Sequence, residues 1–290
     1  MKKLTLLLLA LLYVTLTYAY TERDLLQKQA DINRLKEILV LDRQWVTYPD
    51  YNDRAGWDRF LGTFKDEYIR RGEKRLNYQW QVVKATDYLA FERTGNRQIM
   101  EKPFGANNGA IADLLMAELA EGKGRFVDQL INGVFNACEM TSWALAAHII
   151  VQPFHRALPA YDYPVIDLTS GDLGGLLAWT YHFMRPSFDK VDPEISRRLR
   201  HELQTRILDP YMNNDSFWWM GRNYNGRMLN NWNPWCNSNA LMCFMLLEDN
   251  RDTLAKAVHL TMESVDKFLN YIKADGACEE GPSYLSLIHI

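Results

Sequence analysis

The chain has no excess of basic residues. Over 290 residues, 33 Lys and Arg stand against 36 Asp and Glu, a formal net charge of −3. That balance excludes general nucleic-acid binding, which needs clustered cations facing phosphates. Beyond the extreme N-terminus no apolar run is long enough to cross a bilayer, which excludes a polytopic membrane protein. Runs of period-two alternation are missing, so a sheet has little to start from. There is no His-x-x-x-His, no EF-hand loop and no CxxC pair, so neither a metal nor a cofactor is expected. Cysteine is scarce: Cys138, Cys236, Cys243 and Cys278. Cys236 and Cys243 lie two turns apart on one predicted helix, roughly 10 Å, too far for a bridge. The four read as small buried hydrophobes, with a bridge to Cys278 left open.

What is present starts with a targeting segment. Lys2 and Lys3 precede the apolar run Leu4 to Val14, and small residues follow at Thr17 and Ala19. A basic start, an apolar stretch and small residues at −3 and −1 predict a signal peptide over 1–19, cleaved after Ala19, and hence a secreted or periplasmic protein. The run is shorter than the ~20 residues needed to span, so no stable membrane insertion follows cleavage. Removal leaves 31 Lys and Arg against 36 Asp and Glu, a net −5. Hydrophobic residues at 48% and charged residues at 24% are ordinary for a globular chain, which excludes disorder for most of it.

The body reads as all-α, about ten helices. Leu25, Ile32, Leu35, Ile38 and Leu39 recur at helical spacing, as do Ile111, Leu114, Leu115 and Leu119, then Phe126, Leu130 and Val134. The stretch Met140 to Val151 is apolar nearly all round and predicts a buried helix. Further helices are predicted over 82–91, 172–184, 193–208, 236–248 and 253–273, with Pro193 at a first helical position and Asp275-Gly276 as a stop. The loop between 209 and 239 holds four Trp, two Tyr and a high density of Asn. Flat aromatic faces suit pyranose rings, amides suit hydroxyls, and Arg222 and Arg227 suit carboxylate or sulfate.

Three segments carry a resemblance. Asn230-Asn231-Trp232-Asn233-Pro234-Trp235-Cys236-Asn237, leading into an apolar helix, resembles the heparinase II/III-like family of polysaccharide lyases. Asp275-Gly276-Ala277-Cys278-Glu279-Glu280-Gly281-Pro282-Ser283-Tyr284 resembles that family's catalytic-tyrosine segment, and Cys138-Glu139-Met140-Thr141-Ser142-Trp143 with Ala147-His148 resembles its inner helix. The resemblance implies an incomplete (α/α) toroid of helical hairpins over 20–284 and cleavage of a uronic-acid-containing anionic polysaccharide, a glycosaminoglycan or alginate-like polymer. It implies that Asn231 neutralises the uronate carboxylate and that Tyr284 is the base and the acid. Pro234 stands where one relative has Glu, which places the chain with the relatives that use Asn. Trp232, Trp235, Glu139, Trp143 and His148, with Arg222 and Arg227, are the expected substrate-binding residues.

The chemistry explains the residue types. Elimination at C4 of a uronate removes the C5 proton, which is weakly acidic while the carboxylate keeps its full charge. An amide donor stabilises the developing dianion, and a phenol with a reference pKa of about 10 must be lowered to act as base. Two other readings compete. A glycoside hydrolase on a related toroid needs two carboxylates about 5–10 Å apart, with Glu139, Glu279 and Glu280 available; a non-catalytic glycan-binding helical protein needs neither set.

Relatives continue past the tyrosine into a β-sandwich that donates a further catalytic His. Here the residues after Tyr284, 285–290, do not resemble that continuation. The chain is therefore expected to be truncated, the β-sandwich absent and turnover low. Expression in an exporting host should yield a mature N-terminus at Tyr20, read by intact mass; an N-terminus at Met1 in the exported fraction would overturn the signal-peptide assignment.

Overall fold

Helices begin where a short polar side chain takes over an orphaned backbone N–H. Asp31 accepts from Arg34, Asp53 from Gly56, Asp167 from Ser170, Asp192 from Glu194 and Asn250 from Thr253. The computed structural model describes residues 22–154, 157–223 and 228–272, and among these every regular element is helical, with no strand. The helices are α1 (Ile32–Ile38), α2 (Arg54–Leu61), α3 (Lys65–Glu73), α4 (Ala85–Thr94), α5 (Gln98–Glu121), α6 (Val127–Glu139), α7 (Leu168–Val191), α8 (Pro193–Leu203), α9 (Asp209–Asn213), α10 (Trp232–Leu247) and α11 (Arg251–Leu269). None is long and apolar enough to cross a membrane.

Short links make hairpins of successive helices. Gly122, in the left-handed region at φ 67°, closes α5 and starts the turn into α6. Asp192 alone separates α7 from α8, and three residues separate α10 from α11. α7 packs between α8 and α10, and α1 lies on α11. One continuous core runs through the set, from Phe104, Leu114 and Leu130 through Leu173, Leu177 and Phe188 to Leu199 and Phe244. α7 and α10 approach closely because α7 presents glycine at the contact: a Cβ on Gly175 would stand 2.9 Å from Asn239 Oδ1. Pro234 lies in the first turn of α10, where its missing N–H costs nothing.

Two predicted helices are corrected. Met140–Val151 is not a buried helix: 140–145 is irregular and Ala146–Val151 is a short 3-10 segment. The backbone there has other partners. Trp143 Nε1 donates to Ala137 O at 2.9 Å, the Tyr88 hydroxyl donates to Ser142 O at 3.1 Å, and Leu145 N donates to Asp167 Oδ2 at 3.0 Å. Those side chains replace the i→i−4 ladder. The helix predicted over 193–208 passes instead through a π-turn, Gln204–Leu208, and continues into α9. Pro210 supplies the reason, since its ring would clash with the carbonyl four residues back, and one extra residue in the turn relieves it.

Gly72 on α3 sits against α5, where an added Cβ would fall 2.2 Å from Ala117 Cβ; Gly105, exposed on α5, has nothing within 4 Å. Gly72→Ala should therefore lose roughly 1–3 kcal/mol through forced separation of the two helices. Gly105→Ala should gain up to about 1 kcal/mol from helix propensity alone. Urea midpoints of the two variants should move in opposite directions, and a shared direction would show that the contact between α3 and α5 yields freely.

Candidate functional site

The site is built around one carboxylate. Asp167 caps α7 and is fully buried. Its Oδ1 accepts from Ser170 N at 2.7 Å, while Ser170 Oγ accepts from Asp167 N at 2.7 Å, a reciprocal capping box. Thr169 Oγ1 donates to it at 3.1 Å. The remaining lone pairs hold the preceding loop: Leu145 N, and His148 Nδ1 at 2.6 Å. The helix N-terminus favours the negative charge, and the donors satisfy it. His148 is therefore oriented with Nδ1 toward Asp167, and its Nε2 stands 3.4 Å from a guanidinium nitrogen of Arg97. Its ring meets Trp232 edge-on at 4.7 Å, and Trp232 lies 5.4 Å from Trp218, whose ring is about half exposed.

The first turn of α10 supplies the rest. Asn230 Oδ1 accepts from Trp232 N at 3.1 Å, and Asn231, buried, stands at the cap position with its carbonyl accepting from Trp235 N at 3.2 Å. Trp235 lies one turn on, over the same face. Its Nε1 donates to Asp172 Oδ1 at 2.6 Å, and Asn239 Nδ2 donates to the same oxygen at 2.9 Å. Asp172 has an edge open to solvent, yet enough protein surrounds it that burial pushes its carboxyl above the usual carboxylate range, against the pull of those two donors.

A buried polar spine fixes this end of the molecule. Asn233 Nδ2 donates to Trp219 O at 2.7 Å and to Ser264 O at 3.0 Å. Asn237 Nδ2 donates to Asn233 O and Ser264 Oγ, both at 2.8 Å, and Asn237 Oδ1 accepts from the Tyr211 hydroxyl at 2.6 Å. Ser264 Oγ donates to Met220 O at 2.8 Å. These bonds tie α10 to α11 and to the 3-10 turn Trp218–Met220. Several of the amides expected to meet sugar hydroxyls are thus used inside the protein.

The predicted site residues separate into groups. Asn231, Trp232, Trp235 and His148 gather at the adjoining N-terminal ends of α7 and α10. Trp143 does not share that surface: its ring is buried beneath the Arg206 guanidinium at 5.1 Å, beside a hollow of about 220 Å³ lined by Thr141, Ser142, Tyr161 and Glu202. Glu139 ends α6 as an exposed acid paired with Arg198 at 3.3 Å. It is an ordinary solvated helix-end charge, and the break after it removes the helix face it was expected to share with Trp143. Arg222 donates to Tyr211 O at 2.7 Å and to Met212 O, pairs with Asp215, and so staples its own loop. Arg227, Tyr284, Cys278 and the signal peptide lie outside the described residues. Asp167, Asp172, Arg97 and Trp218 were missed. Asp167 had a legible signal, an Asp three residues before Ser at the head of an apolar run.

Among the described residues no cysteine offers a reactive thiol at this surface. Cys138, Cys236 and Cys243 are buried and unbridged, and burial pushes the Cys138 and Cys243 thiols up to about 12. Among the described residues no three His, Cys, Asp or Glu side chains converge as a metal site.

No protein-family model matches the chain, and a search of curated proteins finds no match either.

Asp167→Ala should be strongly destabilising. It removes a helix cap, typically ~1 kcal/mol, and leaves the Leu145 N–H without its acceptor, a further 1–3 kcal/mol. Urea denaturation should show a loss of roughly 2–4 kcal/mol; a change below about 0.5 kcal/mol would show that Asp167 is not the organising group.

Proposed function

We propose that the chain is the helical part of an exported polysaccharide lyase, an enzyme that cleaves beside a uronic acid by β-elimination. The observation that carries this reading is the ring contact between His148 and Trp232, 4.7 Å apart. The two residues are distant in sequence and come from two of the three segments that resemble heparinase II/III-like lyases, so an unrelated chain would have little reason to bring them together. In this reading the helical hairpins form part of the wall of an (α/α) toroid, and the ends of α7 and α10 open onto its cleft.

The chemistry then runs as follows. The Asn231 amide donates to the uronate carboxylate and stabilises the extra charge that develops when C5 loses its proton. Tyr284 takes that proton. The C5–H electrons form the C4–C5 double bond, the C4–O bond breaks, and the leaving oxygen takes a proton from the tyrosine. Tyr88 and Tyr211, the buried tyrosines bonded to this region, do not compete for the role, because burial raises both phenols and keeps them protonated. Trp232 and Trp218 offer aromatic faces to the sugar chain. Neither a metal nor a cofactor enters the scheme.

One observation favours hydrolysis as a second reading. Asp172 is a solvent-edged carboxyl raised above its usual range, the property of a general acid. A hydrolase also needs a second, available carboxylate. The neighbouring Asp167 is fully buried and already accepts from Ser170, Thr169, Leu145 and His148, which ranks this reading below elimination.

The test follows bond cleavage in two ways. The chain is incubated with uronate-containing oligosaccharides, while new reducing ends and the ultraviolet absorbance of an unsaturated uronate are recorded together. Both should rise in equal amounts, slowly. Asn231→Ala should lower the rate by roughly 10²–10³-fold. Reducing ends without absorbance would transfer the activity to hydrolysis, and failure to bind any uronate oligosaccharide would overturn the reading.

A further inference from the structure

Asp172 is a carboxylate at the edge of this surface, held by two uncharged donors. Its Oδ1 is occupied by Trp235 Nε1 and Asn239 Nδ2, and no described residue donates to Oδ2. No Lys or Arg among the described residues pairs with it, and the Asp167 carboxylate five residues earlier on the same helix end adds to the negative field. Its place relative to the substrate follows from α10. Trp235 stands one turn, about 5.4 Å, beyond Asn231 on the same face, and Asp172 lies at the Nε1 edge of the Trp235 indole. A sugar ring lying on Trp235 would therefore be the neighbour of the one whose carboxylate meets Asn231, and Asp172 would be at its rim.

An ionised acceptor at a sugar's edge discriminates by charge. It accepts from hydroxyl, amide or ammonium donors, and it repels carboxylate and sulfate. We infer that Asp172 is a specificity residue, which selects polymers whose uronate is followed by an unsulfated sugar without a carboxylate. Contiguous polyuronates and sulfated chains are disfavoured at that position. This inference rests on the lyase reading and narrows its substrate class.

The experiment uses Asp172→Asn. An asparagine carbonyl keeps the acceptor for both Trp235 and Asn239, so the indole stays in place while the charge is lost. Binding to the full chain is followed by Trp fluorescence with three probes: polygalacturonate oligomers, heparin oligomers and unsulfated hyaluronan oligomers. The unaltered chain should bind the hyaluronan oligomer at least roughly tenfold more tightly than either of the others at low salt. Asp172→Asn should tighten binding of the other two and narrow that ratio by roughly tenfold, and rising salt should shrink the ratio in the unaltered chain. A residue that merely positioned the indole would leave the salt dependence unchanged. The same ratio in both proteins, or a preference of the unaltered chain for the fully charged oligomers, would overturn the role of Asp172 and leave the lyase reading standing. No binding of any of the three by either protein would remove both.

Discussion

A carboxylate with no exposure to solvent has to be met by donors on every side, and the donors that meet Asp167 come from three separate places in the chain. Ser170 and Thr169 belong to the helix it caps, Leu145 to an irregular loop, and His148 to a 3-10 segment. The electrostatic demand of that one group therefore decides where the loop after α6 can run. It also decides which nitrogen of His148 faces inward, and so which edge of the imidazole meets Trp232. The cost of burying a charge falls steeply as good donors accumulate. The first turn of α7 offers two, the Ser170 N–H freed by the helix start and the Thr169 hydroxyl, and the loop needs to supply only the remainder.

The second constraint is complementary and uncharged. Asn233 and Asn237 are one turn apart on α10, and together with Tyr211, Thr261 and Ser264 they form a bonded chain between helices that would otherwise meet through apolar side chains. Apolar packing tolerates sliding; a row of directional bonds does not. α10 is thereby fixed in rotation about its own axis, which sets the direction in which Asn231, Trp232 and Trp235 leave it. The polar interior is a positioning device for the polar exterior.

Much of the fold was legible in the sequence because helical periodicity is a local signal. The all-helical class, the start at Pro193 and the helix containing Cys236 and Cys243 can all be read from residues a few places apart. The failures have a common cause. Met140–Val151 looks helical because its residues are apolar, but its backbone bonds go to Tyr88 and Asp167, which periodicity does not report. Asn233 and Asn237 look like ligand groups because amides are usually solvated, and only the approach of α11 turns them into core. For the same reason Trp143, read as a cleft residue, is covered by Arg206 from a helix much later in the chain. Of the candidate site, Trp232 and His148 are in ring contact, while the acids around them, Asp167 and Asp172, lie in a region whose sequence reads only as the beginning of a helix.

The π-turn at Gln204–Leu208 has a geometric consequence for everything after it. A turn widened to hold one additional residue sets the angular phase of all later side chains back by about 100° relative to an unbroken helix. Tyr211 follows this turn and points its hydroxyl at Asn237 and Thr261. Without the extra residue the same tyrosine would leave the helix about a quarter-turn away, and the polar spine would lose its first member. The wide turn ahead of Pro210 thus acts as a phase shifter, and the orientation of α10 is keyed to an irregularity that lies outside both helices of its own hairpin.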